Sequence, residues 1–299
     1  MRGPWIGGLG DHALNQIEQR EYLGFDFRDV ERSIVARIGS PLEAIEGRFD
    51  PQITERSLEE CADCPEPPEI GEHLGVKFYS WGPDLEGSLS MRFQPPAYDH
   101  LGRGGRIAVL DSVVFRTVET EGMRSLIETY RNRRDSLADD PDLALAAGAM
   151  DNLGAYSAQL IKDGDFSPTR MELNEDEVHF LGEYLDKYPV LDKYLVLGSG
   201  VGKDEEGFLA ILVFVFDDED LASRNVPIFE EIWGSGISFL YRSYSDGLDS
   251  GIRWTEPYPE AEVWNDGRVL IARLRPAPEL PGYWHHGVVY RADSLVWHK

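Results

Sequence analysis

The run from Phe208 to Phe216 contains no polar residue, and a short apolar run of this kind is typical of a strand that is buried on both faces. A second apolar run begins at Tyr194, and a Gly-rich, acidic tip separates the two runs, which predicts a β-hairpin. The tip resembles a phosphate-binding loop, but Gly202-Lys203 is followed by Asp204, where that motif has Ser or Thr at the start of a helix. The pattern therefore predicts a hairpin that binds no nucleotide.

Capping residues mark the starts of the predicted helices. Asp50-Pro51 and Asp140-Pro141 each place a capping carboxylate before a proline at the first helical position. Asp217 can cap a later helix, which Pro227 should kink or split. Together with the apolar periodicity, these signals predict helices over residues 11–23, 50–61, 121–132, 139–158, 176–188 and 218–233.

Apolar runs and alternation predict the strands, which are 33–38, 45–49, 76–81, 106–111, 112–117, both arms of the hairpin 194–216, 261–264, 268–274 and a last one within 288–297. This order predicts an α+β protein of two lobes, each a mainly antiparallel sheet with helices packed on one face. It also fits two ferredoxin-like repeats. The polar stretch 162–176 predicts the boundary between an N-terminal lobe, residues 1–162, and a C-terminal lobe, residues 176–299.

The charge balance limits the partners. The chain has 54 acidic and 29 basic residues and a net charge of −25. A surface of this sign repels phosphate, so we expect no nucleic acid partner, and anionic membranes are disfavoured for the same reason. No apolar run approaches the roughly 20 residues of a membrane span. A solvated acidic surface is the preferred interpretation, and cation binding by clustered carboxylates is the alternative.

No catalytic or metal-binding pattern stands out. The glycines around Ser199 lack the spacing of a nucleophile elbow, and none of the 7 histidines has a helical metal-ligand spacing. We therefore expect no metal site and no cofactor. Asp111 interrupts the apolar run IAVLDSVVF, where a carboxylate either ends a strand or serves as a buried acid. Dispersed carboxylates, or a site near His285-His286, keep a hydrolase as the alternative function.

The cysteines are Cys61 and Cys64, in EECADCPEPP. Acidic residues precede them at the predicted C-terminal end of a helix, where neither charge nor helix dipole favours a thiolate. A short structural disulfide is the preferred interpretation, with a free thiol pair and redox chemistry as alternatives.

Aromatic residues cluster in two segments of the C-terminal lobe. Aromatic loops on a rigid scaffold suit ligand binding, although they also serve as lids over a sheet. The candidate ligand-binding residues are Trp233, Tyr241, Tyr244, Trp254, Trp284, His285 and His286, and Tyr258 lies in the same region.

Several strings resemble a group of uncharacterised, exported bacterial proteins, namely YLGFDFRDVERSI, EGRFDPQ, VKFYSWG, LGRGGRIAVLD, YLVLGSGVGKDEEG and YRADSLVWHK. The resemblance carries no catalytic motif. It implies an extracellular or cell-envelope location and so favours the Cys61–Cys64 disulfide. The N-terminal residues have no apolar stretch of signal-peptide length, so the alternatives are a removed leader or a cytoplasmic protein.

The sequence thus leads to three hypotheses about function. The preferred one is a non-enzymatic, exported or cell-envelope binding or structural protein that recognises a protein or small-molecule partner through loops between strands. The second is the hydrolase. The third is a self-assembling envelope component in which edge strands form the contacts.

Overall fold

A computed structural model of the protein describes residues 20–299, apart from residues 21, 27, 39, 61–63, 65, 93, 95–97, 99–100, 165, 169–174, 239–251 and 279–293. The chain forms two compact units, Met1–Ser136 and Leu137–Lys299. Each unit contains one antiparallel sheet with α-helices, so the predicted α+β class is confirmed.

The first unit holds a six-stranded sheet in the order β1-β2-β6-β5-β4-β3. Its strands are β1 Val30–Ile38, β2 Ser40–Gly47, β3 Glu69–His73, β4 Val76–Ser80, β5 Arg106–Leu110 and β6 Val113–Thr117, and its helices are α1 Pro51–Glu59 and α2 Thr120–Tyr130. Asp50 caps α1 as predicted, because its carboxylate accepts hydrogen bonds from the backbone N–H groups of Gln52 and Ile53.

The second unit holds a five-stranded sheet in the order β10-β11-β9-β8-β7. Its strands are β7 Ala155–Lys162, β8 Val196–Lys203, β9 Phe208–Val215, β10 Glu260–Asp266 and β11 Val269–Arg275, and its helices are α3 Pro141–Asn152, α4 Glu175–Lys187 and α5 Glu219–Ser235. Pro227 lies inside α5, which continues through it as one helix, so of the predicted kink or split the split does not occur. Asp218 caps this helix in place of the predicted Asp217.

Helices pack on both faces of each sheet, which corrects the prediction of helices on one face. In β5, Ile107 packs with Leu58 of α1, whereas Ala108 packs with Met123 of α2. In the second unit, α5 covers one face and α3 the other. The physical reason is that the central strands are apolar on both faces, so each face needs a cover.

The predicted hairpin 194–216 is confirmed, and β9 lies at the centre of its sheet between β8 and β11. Leu212 and Phe214 belong to the core under α5, whereas Ile211 and Val213 belong to the core under α3. In the tip, the Asp204 carboxylate accepts hydrogen bonds from the backbone N–H groups of Glu206 and Gly207. This carboxylate closes the turn.

The glycines of β8 allow α3 to approach the sheet closely. A Cβ atom built on Gly198 would lie 2.8 Å from Cε of Met150, and one built on Gly200 would lie 3.0 Å from both Sδ of Met150 and the carbonyl oxygen of Ser157. These glycines therefore make room for a helix, and their spacing of two matches the face of a strand.

The predicted boundary 162–176 differs from the structural one, because the second unit begins at Leu137. The predicted helix 139–158 ends at Asn152, Gly154 follows with a φ of 69°, and the chain then enters β7. Since β7 pairs with β8, it belongs to the second sheet. The edge strand β3 was not predicted, and Asp111 is an exposed turn residue with a φ of 36°.

The strand counts of the two sheets test the expectation of ferredoxin-like repeats. A ferredoxin-like lobe has four strands in the order β-α-β-β-α-β. The two sheets have six and five strands in different orders, so the units are not ferredoxin-like repeats.

Among the helices in the described part of the chain, none has the length and apolar character required to cross a membrane.

Candidate functional site

The described aromatic candidates of the second unit serve its core. Trp254 and Tyr258 are buried, and the indole N–H of Trp254 donates to Oγ of Ser294 at 3.2 Å. Trp233 is half-buried, and its indole N–H donates to the carbonyl oxygen of Tyr258 at 2.9 Å. These contacts fit the alternative of a lid over the sheet.

Other predicted site residues lie outside the described residues. They are Tyr241, Tyr244, Trp284, His285 and His286, and their proposed role stays a prediction. Cys61 also lies outside the described residues, so its pairing with Cys64 stays a prediction.

The described residues of the connection between β4 and β5 are held by several hydrogen bonds to the first sheet. We define the anchored loop as residues 82–92, Gln94, Tyr98 and residues 101–105. Residues 82–90 are all exposed, whereas Gly102, Gly104 and Gly105 are buried. The loop therefore has an outer arm that faces solvent and an inner arm that packs on the sheet.

Arg106, the first residue of β5, holds both arms of the loop. Its buried guanidinium donates to three backbone carbonyl oxygens, those of Trp81 at 3.1 Å, Gly82 at 2.8 Å and Gly104 at 2.8 Å. Carbonyl groups of a loop have no strand partner, and this cation supplies the missing donors.

Asp84 connects the same cation to helix α2. Its Oδ1 atom lies 2.7 Å from an Arg106 nitrogen and accepts hydrogen bonds from the backbone N–H of Thr120 at 3.0 Å and its hydroxyl at 2.8 Å. Nε of Arg106 donates to Oγ1 of Thr120 at 3.3 Å. All N–H donors of the guanidinium are thus used within the protein, so Arg106 positions the loop and has no donor left for a ligand.

Close backbone contacts add rigidity. A Cβ atom on Gly104 would lie 1.7 Å from the carbonyl oxygen of Trp81, and one on Gly102 would lie 1.8 Å from that of Ser88. Gly102 also has a φ of 70°, in the region that favours glycine. No other residue fits at either position without moving the backbone.

A phenol–carboxylate pair lies beside Gly82. The hydroxyl of the buried Tyr98 donates to Oε1 of Glu66 at 2.5 Å. Burial raises the pKa of Tyr98, and the hydrogen bond to Glu66 raises it further. The phenol therefore stays protonated at neutral pH and acts as a donor that fixes the loop.

The loop presents three leucines to solvent. Leu85, Leu89 and Leu101 are 50%, 77% and 47% exposed. Gly87 and Arg103 form an isolated antiparallel β-bridge, and the backbone N–H of Ser88 donates a hydrogen bond to the carbonyl oxygen of Gly102. Leu89 and Leu101 are the next residues along these two antiparallel segments, so they emerge at the same end of a short ladder.

Leu85 has a strained backbone for its residue type. Its φ is 62°, in the left-handed region that leucine rarely adopts, and its side chain is half exposed. Neither backbone geometry nor core packing calls for a leucine there.

The described carboxyl groups with shifted pKa values are all shifted downwards. In each, the largest cause is a hydrogen bond from an Arg or Lys side chain, and the groups are Asp26, Glu59, Asp140, Asp142, Asp192 and Asp204. A general acid at neutral pH requires a raised pKa. Within the described ranges, no group of His, Cys, Asp and Glu residues could hold a metal ion.

The chain matches no family model, no curated protein and no solved structure.

The sequence did not predict a site in the connection between β4 and β5. The glycines at 82, 87, 102, 104 and 105 were the available signal, because glycines spaced through a loop mark close backbone approach. The isolated leucines gave no periodic pattern.

Proposed function

We propose that the protein is a non-enzymatic binding protein that recognises a partner protein through the anchored loop. One observation carries the proposal: a loop fixed by a buried, fully hydrogen-bonded Arg106 presents exposed leucines. Rigid loops with exposed apolar side chains are common at protein interfaces, because little entropy is lost on binding.

The leucines set the scale of the affinity. Burying a whole leucine side chain contributes about 1.5–3 kcal/mol. Leu85, Leu89 and Leu101 are about half to three-quarters exposed, so their burial contributes roughly 3–5 kcal/mol together. Association costs at least about 4 kcal/mol, so the leucines need support from further contacts. The expected complex is one of moderate affinity.

The shifted pKa values bear on the hydrolase alternative. The carboxyl groups with shifted pKa values are held ionised by bases, and the Tyr98 phenol is held protonated. The hydrolase alternative gains no supporting observation from these groups.

We further propose an extracellular or cell-envelope location, which rests on the resemblance and on the predicted Cys61–Cys64 disulfide. Alkylation of the unfolded protein without reductant tests the disulfide by mass. We expect neither cysteine to react, and alkylation of both would contradict it.

Selection from a phage-displayed random peptide library tests the loop. Leu89→Ser removes the most exposed leucine, and Leu85→Asn removes another while relieving its backbone strain. We expect the peptides selected on the wild type to bind each variant at least about fivefold more weakly, which corresponds to about 1 kcal/mol.

Matched controls make the same changes elsewhere. Leu145→Ser alters an exposed leucine of α3, and Leu74→Asn alters an exposed leucine with a φ of 49° at the β3–β4 turn. Both controls should bind the selected peptides as the wild type does. Peptides that bind all variants equally would refute the loop as the binding site.

A further inference from the structure

We infer that the connection between α2 and α3, residues 131–140, is a site of proteolytic modification by trypsin-like endoproteases, which cut after Arg or Lys, and that the cut leaves both sheets folded. The inference does not depend on the proposed function. It follows from the exposure of this connection, from the few contacts that hold it, and from the three arginines that it carries, Arg131, Arg133 and Arg134.

The connection is accessible along its length. None of the residues 131–140 is buried, and residues 131–135 are all exposed. The connection contains neither α-helix nor strand, and its one regular element is the short 3-10 turn Leu137–Asp139. Exposed segments of this kind are the preferred sites of proteolytic nicking.

The backbone of the arginine segment is held only through the end of α2. The N–H groups of Arg131, Asn132 and Arg133 donate hydrogen bonds to carbonyl oxygens in the last turn of this helix, and Asn132 leaves the helical conformation with a φ of 54°. Because the three donor residues are exposed, water can replace these hydrogen bonds. The segment can therefore open locally into the extended form that a protease binds, while the sheet stays intact.

The side chains of the three arginines have no carboxylate partner in the described part of the chain. The guanidinium of Arg134 donates a hydrogen bond to Oγ of Ser125 at 2.6 Å, and that of Arg131 lies 5.9 Å from the centre of the Tyr130 ring. These contacts leave the positive charge of the arginines uncompensated, although the chain has 54 acids and 29 bases. A free guanidinium of this kind can enter the acidic specificity pocket of a trypsin-like protease.

Two other exposed bases lie in segments that are better held. Arg92 belongs to the anchored loop, which the buried Arg106 fixes to the sheet. Lys203 precedes the hairpin tip, where the Asp204 carboxylate closes the turn and pairs with Arg275 at 2.8 Å. Opening either segment breaks more contacts than opening the connection does, so we expect slower cutting at both positions.

The connection lies between the two sheets in the sequence. Strands β1 to β6 precede it, strands β7 to β11 follow it, and no strand pairing joins the two sets. Hydrolysis of the Arg133–Arg134 peptide breaks one C–N bond, and water supplies the oxygen of the new Arg133 carboxylate and the proton of the new Arg134 amine. Each fragment then contains one complete sheet.

Limited digestion of the full chain with trypsin, followed by intact mass spectrometry, tests the inference. We expect fragments that end at Arg131, Arg133 or Arg134, and we expect them to form at least about tenfold faster than fragments cut after Arg92 or Lys203. Urea below the unfolding transition should not accelerate this cut, because local opening exposes little surface. The cut protein should keep the far-UV circular dichroism of the intact chain.

Two variants separate the role of the arginines from that of the backbone. Replacing all three together, by Arg131→Gln, Arg133→Gln and Arg134→Gln, should abolish the cut by trypsin. A protease that cuts beside large apolar residues should still cut this variant at Leu137, which is 44% exposed. Lys203→Gln is the matched control and should leave the trypsin fragments of the connection unchanged.

Trypsin cleavage of the connection that appears only where urea unfolds the protein, or that is slower than cleavage after Arg92 or Lys203, would overturn the inference. Resistance of Leu137 in the triple variant would also contradict it, because the backbone would then be closed to proteases. Loss of the circular dichroism signal on cutting would show that the sheets require an intact connection, which the inference denies.

Discussion

Replacement of Arg106 is the sharpest perturbation of the anchored loop. Arg106→Met keeps a side chain of similar length and removes the cation that joins both arms of the loop to α2. Arg106→Lys keeps the charge, but an ammonium group has fewer donors and cannot form the same fork.

The expected loss can be worked out from the contacts. The carbonyl oxygens of Trp81 and Gly104 belong to buried residues, and each one left without a donor costs about 1–3 kcal/mol. Gly82 is exposed and water can replace the lost donor. The ion pair with Asp84 is discounted to at most about 1 kcal/mol because Asp84 is 45% exposed. Arg106→Met should therefore destabilise the first unit by about 3–5 kcal/mol, and Arg106→Lys by about half of that.

Urea denaturation measures the free energy of unfolding, and hydrogen exchange shows where the native state opens. We expect faster exchange in the anchored loop at urea concentrations where the sheet stays protected. Arg32→Ala is the matched control, since Arg32 is 79% exposed in an ion pair of 3.3 Å, and it should cost at most about 0.5 kcal/mol. A cost below about 1 kcal/mol for Arg106→Met, with unchanged exchange in the loop, would refute the reasoning.

Three further predictions concern stability. Gly200→Ala should cost about 1–2 kcal/mol because its Cβ meets two atoms at 3.0 Å, whereas Gly148→Ala, in open space on α3, should stabilise by about 0.5–1 kcal/mol; equal effects in thermal denaturation would contradict the close packing. The hydrogen bond from Arg28 lowers the pKa of Asp26 to about 2, so its contribution of about 2 kcal/mol is present above pH 4 and is lost as the pH falls through about 2. Asp26→Asn should therefore flatten the stability profile between about pH 4 and pH 2, and an unchanged profile would argue against the pair. Leu74→Asn should raise the free energy of unfolding by about 1 kcal/mol, because asparagine tolerates a φ of 49° better than leucine does. Urea denaturation should then show a higher midpoint, and a lower midpoint would show that the leucine is needed there.

Local signals predicted the parts of the fold that local chemistry determines. Asp50 and Asp140 each cap a helix with their side chain, and each is followed by the proline at the first helical position. For this reason α1 and α3 begin where predicted. The strand β9 could be predicted without knowledge of its neighbouring strands. Because it is buried on both faces, its residues form a continuous apolar run in the sequence.

Two strands escaped prediction because their partners define them. In β3, Glu69 and Glu72 leave little apolar alternation, and only pairing with β4 makes the segment a strand. In β7, the sequence AYSAQLIK continues the helix-forming composition of α3, and its strand form depends on β8. Long-range pairing of this kind overrides local propensity.

The candidate site was hidden for a related reason. The acceptors Trp81 and Gly82 lie 25 and 24 residues before Arg106 in sequence, so no local spacing indicates them. The leucines of the loop look like ordinary apolar residues until their exposure is known. The aromatic residues, by contrast, were conspicuous in sequence, and Trp254 and Tyr258 are buried in the core.

Hydrogen exchange of the protein with and without a selected peptide tests the central claim most directly, because it locates the contact on the whole chain. Binding through the anchored loop predicts slower exchange of amides in residues 82–92 and 101–105, and no such change in Leu89→Ser at the same peptide concentration. Protection confined to the second unit, around Trp233 or the segment of His285 and His286, would contradict the claim and move the binding site to the aromatic loops.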